Sequence, residues 1–540
     1  MKTASEAGVP AEGGSTRAAT GLLICCAVLT ASVLYLGWAA EKSGRYFPGE
    51  RAALEAAGRL FFSEKPKYDG TLESVSRQDV LILQTAFFFA VATTFYLLAV
   101  RLALGGALAR RTTLGIVMAG AVLLRAAAVP SRPALETDYH RYLWDGAAVW
   151  SGLNPYQFAP VEVTNFAKGK NVEMYPAEEK ERLERLARLA ATPELADHVR
   201  RINHPSIPTI YPPAAQALFG AAYGLAPGSA TVLKALVAAA DLAVCGLVLL
   251  LLRRLGRDAR WCIAYAWCPL IVKEYAATGH YDPLATGGVL AALLLLTGER
   301  KRPMAAGAVL AFGALAKLFP LLLAPLLAGR LGRAGLAVLV LVLGAGYAPF
   351  LGIGSEAFDG LVAFGTSWEF NSSLFACLEM ALGPLFRGED PLMFSFIVSR
   401  KASQEYLFFT EQPLDAFGAA KVLAALALAA VVIACARARR DSDTALTARA
   451  GIVVVTLLAL APVCDPWYFG WAAPFACVFR SAAAAWLAWS MGLYYFYFLA
   501  WRYPEWSRLM EYLPALALLV WDIHRWRREL ASEDEGRSAP

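Results

Sequence analysis

Long apolar runs, separated by short polar segments, recur along the whole chain. A helix needs about 20 predominantly apolar residues to cross a bilayer. Runs close to that length lie at 19–39, 79–102, 113–130, 229–252, 261–278, 283–298, 335–352, 417–437, 447–464, 482–501 and 508–523. This pattern predicts an all-α polytopic membrane protein with about a dozen transmembrane helices.

Three further apolar segments are shorter or interrupted. The run 467–479 is short, and 214–226 is too short to cross, so we expect 214–226 to lie in the membrane interface or to dip into it. Lys317 and Pro320 interrupt the stretch 304–329, which we interpret as a hairpin or a pair of half-helices. Such breaks are tolerated only where protein or a water-filled cavity shelters the freed backbone groups.

Both ends of the chain are polar. The apolar run that follows residues 1–17 extends from Thr20 to Trp38, which exceeds the 7–15 residues of a signal-peptide core, so we interpret it as a retained membrane anchor. After Leu530 the sequence predicts a polar, disordered tail.

Basic residues alternate between the short connections, and Lys and Arg are retained on the cytoplasmic side of a membrane. One set of alternate connections holds Arg110-Arg111, Arg253-Arg254-Arg257-Arg260, Arg300-Lys301-Arg302, Arg330 and Arg333, Arg437-Arg439-Arg440, Arg480 and Arg525-Arg527-Arg528. The opposite short connections, near 279–282 and 465, hold none. We therefore predict cytoplasmic termini, with the long polar segments 41–78, 131–213 and 353–416 outside.

Within 131–213, the charged stretch from Ala177 to Ala191 predicts a solvated juxtamembrane helix.

Composition supports a membrane protein and argues against a soluble domain and a nucleic-acid-binding protein. The 540-residue chain is 58% hydrophobic and 17% charged, whereas soluble domains are about 45–50% apolar and about 25% charged. The net charge of +6 is spread over many loops, which argues against a nucleic-acid-binding face. The nine cysteines lie mostly in apolar runs and indicate small buried side chains rather than disulfides or a metal site.

Ionisable residues at the predicted outer face are the candidates for chemistry, because such groups are costly near a membrane. They gather in five places, which are 136–146, 203–213, 279–282, Lys317 and 465–468. If 136–146 is helical, Asp138, Arg141 and Asp145 share one face. They form either a structural ladder of ion pairs or, together with the interleaved aromatic rings, a sugar site in which one carboxylate serves as a general base.

These segments also carry a family resemblance. The motifs TDYHRYLWDGAAVWSGLNPYQFAP, INHPSIPTIYPP, GHYDPL, AKLFPLLLAP, SWEFNSSLF and DPWYFGWAAP occur in this order. Together they resemble glycosyltransferases of the GT-C superfamily that use lipid-linked sugars, most closely bacterial relatives of the family 87 mannosyltransferases. The resemblance implies a GT-C-like helical bundle with extracytoplasmic juxtamembrane helices. The resemblance covers roughly residues 113–480, the predicted catalytic module. Hydropathy and charge divide the rest into a cytoplasmic tail (1–18), an N-terminal transmembrane hairpin with an outer loop (19–112), C-terminal transmembrane helices (481–529) and a cytoplasmic tail (530–540).

The resemblance further implies an activity. The expected reaction is an inverting, metal-independent transfer of a sugar, with a mannose-like hexose favoured, from a polyprenyl-phosphate donor to a glycan or glycolipid acceptor in the cell envelope. No cofactor and no metal are expected, and the partners are the lipid bilayer, the donor and the acceptor, without nucleic acid. The implied location is the inner or plasma membrane with an extracytoplasmic active site. A transporter or flippase of a lipid-linked or sugar substrate is the alternative, and a ligase or polymerase of lipid-linked glycans is a third class.

The resemblance assigns roles to individual residues. Asp138 matches the general base, and Arg141, His280 and Lys317 are the candidates for binding the donor phosphate. The candidate substrate-binding residues are Trp144, Asp145, Asn154, Tyr156, His204, Tyr211, Asp282, Asp465 and Tyr468.

Alternatives remain open for several of these residues. The family places its base after the first span, whereas two spans precede Asp138 here, so Asp69 and Glu73 are the fallback carboxylates. His280 and Asp282 are equally compatible with capping the helix that begins near Pro283. Lys317 is also compatible with reaching lipid headgroups, and Tyr211 with ending a loop. A glycosylation sequon, Asn371-Ser372-Ser373, carries little weight.

Overall fold

A computed structural model describes residues 12–42, 45–47, 50–62, 71–72, 75–386, 392–394, 412–438, 442–496 and 505–538. The fallback carboxylates Asp69 and Glu73 lie outside the described residues. The α-helices are α1 (Glu12–Lys42), α2 (Arg51–Phe62), α3 (Arg77–Leu104), α4 (Arg110–Ala128), α5 (Asp138–Trp150), α6 (Pro160–Ala167), α7 (Ala177–Ala190), α8 (Ala196–Arg200), α9 (Pro213–Leu225), α10 (Ala230–Arg254), α11 (Ile263–Ala266), α12 (Pro269–Ile271), α13 (Pro283–Leu296), α14 (Pro303–Ala316), α15 (Ala324–Tyr347), α16 (Asp359–Ser367), α17 (Leu374–Leu382), α18 (Ala416–Arg437), α19 (Asp443–Leu460), α20 (Phe469–Phe479), α21 (Ala482–Ser490) and α22 (Glu505–Ser538). One short antiparallel pair is formed by β1 (Leu392–Phe394) and β2 (Gln412–Leu414).

Seven helical segments of the described chain are long and apolar enough to cross a membrane. They are Ser15–Lys42, Arg77–Leu104, Arg110–Ala128, Ala230–Arg254, Phe319–Gly354, Ala416–Arg437 and Asp443–Leu460. The prediction of an all-α polytopic membrane protein is therefore confirmed.

Several predicted spans have a different form in the structure. The run 283–298 contains the 14-residue helix α13, and 482–501 contains the nine-residue helix α21 followed by a 3₁₀ segment, Met491–Phe496. The predicted end of regular structure after Leu530 is wrong, because α22 continues to Ser538.

The prediction of one continuous helix over 261–278 is also wrong. This segment, together with the two residues before it, consists of a 3₁₀ turn (Ala259–Cys262), α11, α12 and a π-helix (Val272–Ala277). The cause is Pro269, because a residue before proline avoids the helical region, and Cys268 accordingly has a ψ of 120°.

Side chains from α3 and α4 satisfy backbone groups that this break leaves free. The Tyr96 hydroxyl of α3 donates to the Ala264 carbonyl at 2.8 Å, and Arg125 of α4 donates to the Ala266 carbonyl. Arg125 is itself buried and pairs with Asp241 of α10, with 2.9 Å between Nε and Oδ2. Irregular backbone is tolerated at membrane depth only when its polar groups find such partners. The N-terminal helices therefore belong to the packed core around the break.

The predicted interruption at Lys317 is confirmed. Helix α14 ends at Ala316, Lys317 is extended with φ −155° and ψ 138°, and a 3₁₀ turn (Phe319–Leu323) leads into α15. Helices α13, α14 and α15 pack sequentially against one another. The interruption thus places a lysine between two packed helices rather than on an isolated loop.

The 131–213 segment folds into helices α5 to α8, with a small core of its own that includes Trp144, Phe158, Leu183 and Leu195. Helix α7 matches the predicted helix at 177–191. Helix α9 is the predicted short helix at 214–226 and packs against α5. This packing fixes α5, whose first residue is Asp138.

Candidate active site

Asp138 stands at the first position of α5, half-buried. Its Oδ1 accepts a hydrogen bond from the Asn203 amide at 2.9 Å, and its Oδ2 lies 3.4 Å from the Tyr142 hydroxyl. The helix places this carboxylate at its N-terminus, where the macrodipole favours negative charge. Asp138 therefore has one neutral hydrogen-bond donor on each carboxylate oxygen, and each oxygen keeps a second lone pair that can accept a proton.

Of the ladder of ion pairs that the sequence allows on α5, the structure has the pair between Arg141 and Asp145, and Asp138 is not part of it. Arg141 Nε lies 3.0 Å from Asp145 Oδ1, and its Nη2 donates to the Ile207 carbonyl at 2.9 Å. Asp145 also accepts hydrogen bonds from the Thr209 hydroxyl and, at 3.2 Å, from Gln216 Nε2. Both members of the ion pair are buried, and they join α5 to the 207–216 segment.

Lys317 and Asp282 meet at the start of α13. The Lys317 ammonium lies 2.6 Å from Asp282 Oδ1, which also accepts the indole N–H of Trp471 at 2.6 Å. Aromatic rings surround the ammonium, at 4.3 Å from the Tyr468 centroid and 5.2 Å from the Trp471 centroid. The helix break at Lys317 thus brings a partly exposed cation into an aromatic cage with a carboxylate.

Asp465 follows α19 and lies in the same electrostatic environment. Its Oδ1 is 3.3 Å from the Tyr494 hydroxyl. Burial first and the negative charge of Asp138 second raise its pKa to about 8, and Lys317 opposes this shift. Asp138 and Lys317 therefore both lie close enough to Asp465 to act on it, so we treat the three as one candidate site.

Residues 209–466 match glycosyltransferase family 87. This match confirms the family resemblance and supports a glycosyltransferase. No curated protein and no solved structure matches the chain. The family 87 region, residues 209–466, includes Asp282, Lys317 and Asp465, whereas Asp138 precedes it.

His280 lies within the family 87 region but is enclosed rather than open. Its ring stacks on Trp467, with 3.8 Å between centroids, and is 1% exposed. Nδ1 lies 3.0 Å from the Thr278 hydroxyl and 3.2 Å from the Glu274 carbonyl. His280 does not cap α13, since its polar partners lie in the preceding π-helix and in Thr278.

The remaining candidates fall into two groups. Tyr211 belongs to an aromatic cluster beside Asp138, with its ring 5.0 Å from Tyr142 and 5.6 Å from Tyr281. His204 has its ring 4.3 Å from Trp368.

The second group comprises Trp144, Asn154 and Tyr156, whose contacts are with core side chains or with backbone carbonyls. Trp144 belongs to the small core of α5 to α8. The Asn154 amide donates to the Phe350 carbonyl at 3.1 Å, and the Tyr156 hydroxyl donates to the Tyr211 carbonyl at 2.6 Å. Asn154 therefore ties the 131–213 segment to the residues after α15, and Tyr156 joins two parts of that segment.

An apolar groove lies directly after Lys317. Its volume is about 430 Å³, and it is lined by Leu318, Val340, Leu343, Gly344, Tyr347, Leu351, Phe358 and Leu361. The groove lies along α15 and the 3₁₀ segment that follows it. A hydrocarbon chain fits such a lining better than a sugar does, because nearly all of these side chains are apolar.

Sequence reasoning missed two site residues, Lys273 and Glu274. They form a buried ion pair, with 3.0 Å between Nζ and Oε1, and Lys273 also contacts the Tyr495 hydroxyl. The signal was present, because adjacent charges inside the apolar run 261–278 are costly unless they have a role.

The sequon at Asn371 has a structural explanation. Asn371 is fully buried, and its amide donates to the Cys464 carbonyl at 2.9 Å and to Glu511 Oε1 at 3.2 Å. Attachment of a glycan needs an exposed asparagine side chain, which Asn371 does not have. We therefore assign Asn371 a structural role next to Cys464 and Asp465.

Proposed function

We propose that the protein is an inverting glycosyltransferase of GT-C type that moves a hexose, mannose-like by resemblance, from a polyprenyl-phosphate donor to an extracytoplasmic glycan or glycolipid acceptor. The observation that carries this proposal is the neighbourhood of Lys317. One partly exposed cation lies beside carboxylates and aromatic rings, and the next residue, Leu318, lines the apolar groove. A polyprenyl-phosphate sugar has the matching order of parts, which are a hydrocarbon chain, a phosphate and a polar ring.

In the proposed reaction, Asp138 is the general base. It takes the proton of the acceptor hydroxyl as that oxygen attacks the anomeric carbon. The new bond forms while the bond from the anomeric carbon to the phosphate oxygen breaks, and the electron pair leaves with the lipid phosphate. Lys317 stabilises the charge that develops on that phosphate.

The other site residues support this assignment in different ways. Arg141 and His280 are buried against other protein groups, so we assign them to positioning the site rather than to direct phosphate contact. Tyr211 and Tyr468 offer ring faces for the sugar, and Asp282 orients Lys317. The alternation of basic connections supports an active site on the extracytoplasmic side.

The test is Asp138→Asn in full-length protein reconstituted in proteoliposomes with a polyprenyl-phosphate mannose donor and glycolipid acceptors. Loss of a general base typically lowers the rate by about 10²–10⁴, so transfer of labelled sugar should fall on that scale. The amide is nearly isosteric, and expression and thermal stability should be unchanged.

The control is Glu173→Gln, which removes a fully solvated carboxylate from the same 131–213 segment. This variant should transfer sugar at the parental rate. An Asp138→Asn enzyme with near-parental transfer would contradict the assignment of the base and move it to Asp282 or Asp465.

A further inference from the structure

We propose that Glu136, Glu274 and His280 bind a divalent transition-metal ion, Mn²⁺ or Zn²⁺. One carboxylate oxygen from each glutamate and one imidazole nitrogen lie within 4.8 Å of one another. The family resemblance implies a metal-independent enzyme, so this site departs from the expectation drawn from the sequence.

The imidazole of His280 is held in the protonation form that a metal ligand requires. Its Nδ1 lies 3.2 Å from the Glu274 carbonyl, which can only accept, so Nδ1 carries the proton. Nε2 is then the lone-pair nitrogen. It is buried, and within the described residues it has no hydrogen-bond partner. Metal-binding histidines commonly donate their second N–H to a carbonyl or carboxylate in this way.

The carboxylate of Glu136 faces that nitrogen, and one of its two oxygens is buried without a hydrogen-bond partner among the described residues. Its Oε2 lies 3.9 Å from His280 Nε2, and the buried oxygen without a partner is Oε1. Two lone pairs that face each other in a buried site repel unless a cation or a proton lies between them. Ligand bonds of about 2.0–2.2 Å place two ligand atoms roughly 3–4 Å apart on one ion, so the observed gap fits a metal.

Glu274 completes the set from the π-helix Val272–Ala277. One of its carboxylate oxygens lies within 4.8 Å of the ligand atoms of Glu136 and His280, while its Oε1 pairs with Lys273 at 3.0 Å. Two carboxylates and one ammonium leave the cluster with one net negative charge when His280 is neutral. Single-turn π-helical segments occur frequently at functional sites. The net negative charge of this buried cluster would therefore favour binding of a divalent cation.

The donor set selects the class of ion. One imidazole with two carboxylates suits Zn²⁺ or Mn²⁺, whereas Mg²⁺ and Ca²⁺ favour oxygen ligands alone. The site adjoins the proposed base, because Glu136 precedes Asp138 by two residues and His280 stacks on Trp467, two residues after Asp465. Binding of the ion does not depend on the proposed function, although any role toward a donor phosphate rests on it.

The experiment uses full-length protein in nanodiscs, stripped with EDTA and titrated with Mn²⁺ or Zn²⁺ without any sugar donor. We expect one ion per chain by elemental analysis after gel filtration. For Mn²⁺, pulsed electron paramagnetic resonance should show coupling to an imidazole nitrogen. Glu136→Gln and His280→Gln should each weaken binding at least tenfold, and the nitrogen coupling should vanish in His280→Gln.

The control is His140→Gln, which removes another buried histidine, outside the cluster, and should bind the ion as the parent does. Glu136→Asp, which keeps a carboxylate, should retain part of the affinity and guards against a folding defect in Glu136→Gln. No stoichiometric ion in the parent, or equal binding in the folded Glu136→Gln and His280→Gln variants, would overturn the site and indicate a proton between Nε2 and Glu136. Because no donor is present, this result is independent of whether sugar transfer occurs.

Discussion

Asp138 and Asp145 lie two turns apart on α5, and their surroundings are opposite. Asp138 is half-buried with only neutral donors, whereas Asp145 is 1% exposed and accepts hydrogen bonds from Arg141, Thr209 and Gln216. A carboxylate whose lone pairs are occupied by buried donors is poorly suited to accept a substrate proton. Of the two roles that the sequence left open for Asp145, holding Arg141 is the one its contacts favour.

Replacing Asp145 by Ala should therefore affect stability before chemistry. Removing one partner of a buried ion pair leaves an uncompensated charge, which typically costs about 3–5 kcal/mol. We expect a large drop in the thermal unfolding temperature of the detergent-solubilised Asp145→Ala protein. Asp138→Asn should unfold at the parental temperature, and equal stability losses in both variants would contradict this division of roles.

Asp465 makes a prediction about pH. Its pKa of about 8 lies above the usual range of an aspartate, so the group is neutral at pH 7 and gains a negative charge as the pH rises through 8. Besides burial, which is the largest cause, Asp138 and Asp282 raise its pKa, and Lys317 and Tyr494 lower it. The new charge should repel an anionic lipid phosphate.

The apparent KM for the polyprenyl-phosphate donor should accordingly rise between pH 7 and pH 9. Asp465→Asn should remove most of that rise while leaving the KM at pH 7 close to the parental value. Initial rates at several donor concentrations across this pH range provide the measurement. A rise of the same size in the Asp465→Asn variant would assign the titration to another group.

At the scale of elements, the contact between α5 and α9 determines where the proposed base stands. Gly146 of α5 lies against the backbone of α9, and a Cβ at this position would come within 2.2 Å of the Phe219 carbonyl oxygen. Backbone cannot move aside as a flexible side chain can. The close approach therefore depends on the absence of a side chain at residue 146.

Gly146→Ala should separate the two helices and lower both stability and transfer activity. Overpacking typically costs about 1–3 kcal/mol. The matched control is Gly115→Ala in α4, where a Cβ would meet open space, and better helix propensity should leave stability equal or slightly higher. The thermal unfolding temperatures of both variants should be compared with that of the parent. A Gly146→Ala protein as stable as the parent would argue against the close contact between α5 and α9.

The two helix breaks show what sequence can and cannot predict. At Lys317 a charge and a nearby proline interrupt an apolar run, and the predicted break is present. The segment 261–278 is apolar apart from Lys273 and Glu274, and this overall hydropathy outweighed Pro269 in the prediction. Hydropathy reports whether a segment avoids water, but not whether its backbone finds partners in other helices, such as Tyr96 and Arg125.

Prediction of the site has a similar limit. Asp138, Lys317, Asp282 and Asp465 could be picked out because charges near a membrane are rare. Their pairing could not, because Arg141 is three residues from Asp138 and four from Asp145, and both spacings suit a helical ion pair. The positions of Thr209, just before α9, and of Gln216, within α9, decide in favour of Asp145.

Across the whole molecule, the proposed site and a basic cluster occupy opposite ends of the same helices. Arg254 donates to the Thr297 carbonyl at 2.6 Å, and Arg330 pairs with Asp443 at 2.6 Å, beside the turn that joins α13 and α14. Asp282 and Lys317 mark the other ends of α13 and α14. A 14-residue helix is about 21 Å long, so the two clusters are separated by much of a bilayer.

This arrangement predicts labelling from opposite sides of the membrane. In a Cys377→Ser background, a membrane-impermeant maleimide should label Lys170→Cys in intact cells, and Arg253→Cys only after permeabilisation. Lys170 and Arg253 are exposed, and the eight cysteines other than Cys377 are buried. The reverse pattern would place the proposed site on the cytoplasmic side.

Synthesis from the N-terminus delivers Tyr96 and Arg125 to the bilayer before Ala264 and Ala266 leave the ribosome. In lipid alone, each unpaired carbonyl would cost several kcal/mol, and the broken segment would resist insertion. Because α3 and α4 are already in place, the nascent segment meets its hydrogen-bond donors on entering the membrane. The order in which the helices are synthesised thus matches the order in which the fold can be assembled. A circular permutant in which α1 to α4 are translated last should insert poorly into the membrane.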